Sequence, residues 1–489
     1  ALYREALYEQ IPEVQRARLH RHAARRLQEA YGRDSSEIAA VLAVHFEEGR
    51  DPENAARFRR MAGERALTRH AHHEAIGHLR GALDALEKLS SRPVTDTEYW
   101  VRLELAVCTA LGASLVATRG YGDPEADRLY VRAEALSRER NDPIKTLQTL
   151  FRTYTFDWMT NSLQNSASAV ERMAEIAAET DHVEAELLTE GARGMSAFFR
   201  GEGSVSDEAH AQVLALYDPK LHDEASLHYP GVSSRGLTAM RRWIAGSPDE
   251  AVDWTRRGLT FAEGVGTPYG IALALGFAVY VHQFRRDLDA LSRNTEDLGA
   301  LAQEQGFQLW VAWARIFRGW LAAARGDGAD GIALMERGLE ELSATGQQIA
   351  VPYFLGILAE TLLALGRVDA AQQRVIEARA LVERRDERWW EAEIHRLEGE
   401  AVLAAGETPL EERRGAAEAC FRRALEVAGR QGATSLELRA ALSLSRLGNS
   451  HDAHQLLSEV VGGFTEGHDT ADLRAAQTQL SRIDPPTDD

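Results

Sequence analysis

A short packing frame recurs along these 489 residues and leaves few folds open. In Ala417-Glu418-Ala419-Cys420-Phe421-Arg422-Arg423-Ala424, an alanine is followed four residues on by an aromatic, and three further on by another alanine. On a helix these three share one face. The small side chains let a neighbouring helix approach, and the ring fills the space beyond. Gly399, upstream, supplies the small residue of the preceding helix. The frame returns as Gly63 with Ala75, Leu79 and Ala82, and as Ala239 with Ala251, Thr255 and Gly258. It returns again as Gly319 with Gly331, Met335 and Gly338, as Ala359 with Ala371, Val375 and Ala378, and as Ala441 with Ala453, Leu457 and Val460. Small residues opening the second helix fall at Ala75, Ala126, Ala251, Ala290, Gly331, Ala371, Ala417 and Ala453, several of them roughly forty residues apart.

Turn chemistry joins the two helices of a pair, as in Gly246-Ser247-Pro248-Asp249, Gly326-Asp327-Gly328 and Gly366-Arg367. Leu, Ala, Glu, Arg and Gln dominate elsewhere and favour helix. The 13 prolines sit at breaks such as Asp142-Pro143, Ser247-Pro248 and Thr408-Pro409. No run of alternating β-branched residues argues for strands. The expected fold is all-α, an α–α superhelix. The frame resembles the tetratricopeptide repeat, whose first helix carries a small residue and whose second reads Ala-x-x-x-large-x-x-Ala. Armadillo and HEAT repeats, with a period of about 40 to 47, are the alternative. The twelve-residue step from Gly63 to Ala75 or Gly319 to Gly331 favours the tetratricopeptide form. Two divergent repeats are expected between about 140 and 215.

Composition limits the partners. The net charge is −19, which repels phosphate backbones and anionic lipid, so neither nucleic acid nor a membrane surface is an expected partner. Arg16, Arg18, Arg21, Arg25 and Arg26, with His20 and His22, make one basic helix face, read as solvated. Cys108 and Cys420 stand far apart, which fits a reducing compartment and excludes a disulfide framework. The longest apolar runs, near 270–281 and 349–359, are shorter than the roughly 20 residues of a membrane span. No secretion signal opens the chain, and a cytoplasmic location is expected. The chain starts without Met, in what reads as mid-helix, and is taken as a piece of a longer polypeptide.

Arg4-Glu5-Ala6-Leu7-Tyr8-Glu9-Gln10-Ile11-Pro12, with Arg16 to Arg21, resembles the end of the winged-helix region of STAND-type signal-transduction ATPases. Ala43 to Gly49, Ala62 to Leu67 and His73 to Ile76 resemble the first repeats that follow it. Leu216-Tyr217-Asp218-Pro219, Gly306-Phe307, Arg318-Gly319-Trp320, Arg388-Trp389-Trp390-Glu391-Ala392-Glu393 and Phe464-Thr465-Glu466-Gly467 resemble the C-terminal repeat halves of large bacterial regulators. Those regulators join a class III nucleotide cyclase or a DNA-binding domain to an ATPase and then to repeats. The resemblance implies a helical segment over 1–48, a repeat array over 49–482 and a polar tail over 483–489. It also implies an ATPase domain upstream in the same polypeptide. No G-x-x-x-x-G-K-[ST] loop occurs in this chain, so nucleotide chemistry is not assigned to it.

No catalytic residue, metal site or cofactor is expected. His70, His72, His73, Glu74 and His78 crowd one stretch but lack H-E-x-x-H, and they read as a solvated turn. Adjacent carboxylates such as Glu340-Glu341 and Glu411-Glu412 point apart on a helix. The groove-facing positions of the repeat frame give Met240, Trp243, His282, Trp313, Trp320 and Tyr353 as binding candidates, with packing between helices as the alternative. Aromatic residues suit contact because they bury much area at low entropy cost. The expected function is a non-catalytic sensor or interaction module that takes a protein partner or small effector. A passive scaffold or oligomerisation array, and an enzyme with an unrecognised pocket, are the alternatives.

Overall fold

Left-handed residues punctuate the chain at a fixed interval. Gly246, Gly266, Arg286, Gly306, Gly326, Gly346, Gly366 and Asp386 all have positive φ, and their numbers step by twenty. Each ends one helix and turns the chain back along the last, so two helices make one forty-residue repeat. In this computed structural model the described residues are 8, 10–90, 97–139, 143–160, 163–180, 182–218, 230–406, 409–448 and 451–483. Among them there is no strand. The chain is an all-α, tetratricopeptide-like α–α superhelix.

Two compact units emerge: residues 1–119 with 123–149, and residues 150–489 with 120–122. The first contains α1 (Glu13–Tyr31), α2 (Ala39–Glu48), α3 (Pro52–Thr68), α4 (His72–Ser90), α5 (Thr97–Arg119) and α6 (Pro124–Glu139). Packing runs through position 48 without a break. Phe46 on α2 stacks on Phe58 of α3 at 5.4 Å, and Arg59 donates to Glu47 at 2.6 Å. Asp51 caps α3 by accepting from the Asn54 amide, with Pro52 at the first helical position. Helix α5 is long and apolar enough to cross a membrane by length and composition, and 61% of its apolar window is buried against neighbours. The sequence reading had singled out other runs. Residues 1–7, Glu9, Asp142, Pro219, Thr408 and the expected tail from 484 lie outside the described residues.

Helix α7 (Pro143–Thr160) leads into the second unit, which continues with α8 (Leu163–Glu179), α9 (Val183–Phe199), α10 (Gly203–Leu216), α11 (Pro230–Ile244) and α12 (Pro248–Val265). Next come α13 (Pro268–Arg285), α14 (Leu288–Gln305), α15 (Gln308–Ala324), α16 (Gly328–Ala344), α17 (Val351–Ala364) and α18 (Val368–Arg385). The last are α19 (Glu391–Ala404), α20 (Leu410–Gln431), α21 (Thr434–Leu447), α22 (His451–Gly462) and α23 (Ala471–Ile483). Between 140 and 215 the structure forms four helices, α7 to α10, and α9 packs against both α8 and α10. Pro248, Pro268 and the Asp287 cap on Ala290 fix helix starts.

The frame residues do what their sizes require. Ala239, Ala251, Ala359, Ala371, Ala417, Phe421 and Ala441 are fully buried. A methyl group on Gly331 would lie 2.6 Å from the Gly319 carbonyl oxygen and 2.7 Å from the Ala323 amide nitrogen. Both are backbone atoms, so α15 and α16 can approach only because both positions are glycine. Gly331→Ala should therefore cost about 1–3 kcal/mol, although alanine gains about 1 kcal/mol of helix propensity. Gly415 on α20 has nothing within 4 Å, and Gly415→Ala should stabilise by about 0.5–1 kcal/mol. Hydrogen exchange of α15–α16 and of α20 reads the two signs separately; equal signs would overturn the close-approach argument.

Candidate functional site

The first helices of the pairs line the interior of the second unit, and their aromatic residues meet there. Trp243 on α11 lies 4.7 Å from Phe284 on α13, which stacks on Trp390 at 5.1 Å. Tyr280 lies 4.8 Å from Tyr353 on α17 and 5.1 Å from Trp313 on α15. Trp389 reaches Tyr353 at 5.6 Å and Trp390 at 5.1 Å. Offset and edge-to-face ring pairs of this kind add about 0.5–1.5 kcal/mol each beyond their buried area.

Beside the rings lies a buried network of charges. Arg286 pairs with Glu360 and, at 3.4 Å, with Asp472. Arg396 grips both oxygens of Glu393 at 2.8 and 2.9 Å and reaches Glu400 at 3.3 Å. Arg439 donates to Asp472 at 2.8 Å and to the Phe284 carbonyl at 3.0 Å, and it covers the Trp243 ring at 4.9 Å. Burial opposes ionisation of Glu360, but Arg286, Arg396 and Arg439 outweigh it and hold the carboxyl below its usual range. Asp472 is likewise opposed by burial and held low by Arg439 and Arg286. Arg286 adopts φ +58, a conformation that costs a residue with a Cβ about 1–2 kcal/mol. Its guanidinium lies between Glu360 and Asp472 in the network.

Carbonyls in the last turns of early first helices have no partner in their own helix. Later repeats supply one. Met159 accepts from the Gln348 amide at 2.8 Å, and Phe199 accepts from the Arg388 and Trp389 amides at 2.7 and 3.1 Å. Trp243 accepts from the Ser435 hydroxyl at 2.6 Å across 192 residues of sequence. Phe284 accepts from Arg439 across 155. These rungs form a seam that closes the unit on itself.

Every sequence-named candidate is buried: Met240, Trp243, His282, Trp313, Trp320 and Tyr353 are at most 8% exposed. The structure brings Trp243, Trp313 and Tyr353 into the ring network and leaves Met240, His282 and Trp320 buried outside it. Burial pushes the His282 imidazole down to about 4, against Asp287, so it is neutral at pH 7. These residues are packed inside, where alanine substitutions test stability as much as binding. The sequence reading missed Tyr280, Phe284, Trp389, Trp390 and the charged network. A signal existed. Stepping the frame by forty from Trp313 through Tyr353 reaches Glu393, and from Tyr280 through Trp320 it reaches Glu360 and Glu400.

A cavity of about 10 Å³ borders Phe198, Gly201, Gly203, Arg241, Ile244, Trp389 and Gln431, room for about one water molecule. Among the described residues no group of three His, Cys, Asp or Glu is arranged to hold a metal ion. In the histidine-rich stretch, His70 lies in the turn, but α4 begins at His72, and Arg69 occupies Glu74 at 3.0 and 3.2 Å. Burial pushes the Cys108 thiol up to about 12, which makes it inert as a nucleophile.

No known protein-family profile matches the chain. An uncharacterised protein of Rhizobium meliloti (strain 1021) is 28% identical over 455 residues, which cover 91% of this chain and 43% of that protein. The chain thus spans less than half the length of this curated relative. Solved structures with a similar course include a Rap protein complexed with competence and sporulation factor (12% identity, TM-score 0.47, 83% of this chain and 99% of that one). Yeast Tom70 matches at 12% identity and a TM-score of 0.34, over 98% and 95% of the two chains. A STAND protein with a tetratricopeptide repeat sensor from Pyrococcus horikoshii matches at 12% identity and 0.37, over 88% and 74%.

Proposed function

We propose that this chain is the non-catalytic sensing and interaction module of a larger, cytoplasmic bacterial regulator, and that it works by opening and closing its second unit. One observation supports this most: the aromatic inner face is sealed by hydrogen bonds and ion pairs between repeats far apart in sequence. A single hydrogen bond contributes about 0.5–1.5 kcal/mol net, so a partner that offers equivalent groups can exchange for such rungs. An apolar core offers no such exchange. The occupant is a protein segment or a small effector, and the array communicates with an ATPase domain upstream in the same polypeptide. The STAND-like residues before Gly49 and the length of the Rhizobium relative support that arrangement. The charge of −19 argues against nucleic acid or membrane as direct partners.

The test uses the full chain and peptides selected against it from a random 15-residue display library. Ser435→Ala removes one rung, worth about 1 kcal/mol, and leaves the rings in place. Peptides that enter the interior should bind this variant about fivefold more tightly, because less closure has to be undone. Equal affinity for both proteins would exclude the interior as the binding face. A second reading, a rigid scaffold, draws on the filling of the interior by the chain's own rings. It expects no selected peptide to alter hydrogen exchange at the Gln348, Arg388 or Trp389 amides, which donate across the seam.

A further inference from the structure

The turn between α18 and α19 buries a carboxyl group whose partners are incomplete. Glu387 is 1% exposed. Its Oε1 accepts from the Ala350 amide at 2.8 Å and the Trp389 indole at 3.1 Å. Its Oε2 has no hydrogen-bond partner, and the Arg385 Nε stands 3.7 Å away. Arg385 itself donates through Nη2 to the Trp158 carbonyl at 3.2 Å. The backbone around this contact is strained, with Ala350 at φ +63 and Asp386 at φ +59. The same two turns carry seam rungs, Gln348 onto Met159 and Arg388 and Trp389 onto Phe199. Glu387 therefore joins the two turns that seat on the ends of α7 and α9.

We infer that Glu387 is a proton-operated clasp on the seam: as a neutral acid it lets the 345–350 and 386–390 turns seat, and as a carboxylate it loosens them. This rests on the closed second unit of the proposed function and names what regulates the closure. Burial is the largest influence and pushes the carboxyl up to about 7 from an ordinary 4.5, while Arg385 and the bonds from Trp389 and Ala350 pull the other way. The closed state therefore binds this proton more tightly than the open one. The contribution to closure is complete below about pH 4.5 and is lost as pH rises through about 7.

The charged and titratable surroundings are Arg385 on α18, Tyr280 on α13, and Asp386, Arg388 and Glu391 in or beside the turn itself. Helices α7 and α9 meet the turns through backbone carbonyls. The Tyr280 hydroxyl has no hydrogen-bond partner, and its own ionisation is opposed by burial and by the charges of Tyr353 and Glu387. His395 on α19 is a second titratable group close to these turns. Burial lowers its pKa, but Glu391 and Glu398 outweigh that and raise it.

Hydrogen exchange of the full chain, corrected for intrinsic rates, is compared at pH 6 and pH 8. The amides of Gln348, Arg388 and Trp389 should lose about tenfold protection over that interval in the wild type. Glu387→Gln should keep its protection at both values, and His395→Gln should respond as the wild type does. Wild-type turns equally protected at both values, or a Glu387→Gln protein that loses protection like the wild type, would overturn the clasp alone. Turns unprotected at either pH would remove the closure, and the proposed function with it. If Glu387→Gln does not fold, Arg385→Gln replaces it. Without the opposing cation the loss should move to higher pH, and an unmoved midpoint overturns the clasp.

Discussion

Replacing Arg439 by methionine should cost about 3–5 kcal/mol of local stability and release the end of α13 from α21. The guanidinium is 5% exposed and contacts Asp472, Glu393 and the Phe284 carbonyl at once. Methionine keeps much of the volume over the Trp243 ring but removes the charge. Asp472 and Glu393 then remain buried with less compensation, and that residual penalty, more than the lost attraction, sets the size of the effect. Arg286 still faces Asp472 and Arg396 still faces Glu393, which keeps the loss toward the lower end of the range. Hydrogen exchange should rise in the last turn of α13 and the first of α23, with the first unit unchanged. A variant as protected there as the wild type would show that the network does not hold the seam. The pH dependence has a definite sign. Glu360 and Asp472 are depressed, so their contribution is present above their ordinary values of 4.5 and 3.8 and is lost as pH falls through the lower folded values. Acid should open the charged network, whereas alkali should loosen the Glu387 turns.

Phe421→Ala should cost about 3–5 kcal/mol, confined to the helices around α20. The ring is fully buried in a cluster with Ala417, Leu444 and Ala453, and Leu403, Leu425, Leu447 and Leu456 pack against that cluster. A methyl on Gly399 would lie 2.5 Å from its edge, so α19 is shaped around the ring and has little room to collapse into the cavity. In a stacked array each repeat touches chiefly its neighbours, so the loss should appear as local opening of α19 to α22. Denaturant unfolding of the whole chain would blur this, because long repeat arrays need not unfold in one step. Segment-resolved hydrogen exchange is the appropriate measure. Unchanged protection across α19–α22 would contradict the frame, and loss spread evenly over the second unit would contradict local stacking.

Much of the repeat was readable because its causes are local. Gly319 with Gly331 and Gly399 with Phe421 need only neighbouring helices to express their sizes. Gly246, Gly326 and Gly366 mark turns in sequence as they do in structure, and Gly266, Gly306 and Gly346 take the same positive φ. Arg286 and Asp386 occupy the same turn positions without being glycine, and nothing local announces them. Trp313 and Tyr353 are groove-facing candidates by the frame, and the structure buries both among the rings. Glu393, forty residues beyond Tyr353, is not among those candidates, because a carboxylate reads as a solvated residue until its arginine is known. Arg396 and Arg439 supply that partner, one a turn away on the same helix and the other 46 residues on.

The sequence by itself determined the helices, their pairing and the repeat length, since each follows from side-chain size and backbone freedom within about forty residues. The tertiary structure alone decided that the inner face is closed. That closure sums a small rotation per repeat over several repeats, and only the sum brings Ser435 to Trp243 and Arg439 to Phe284.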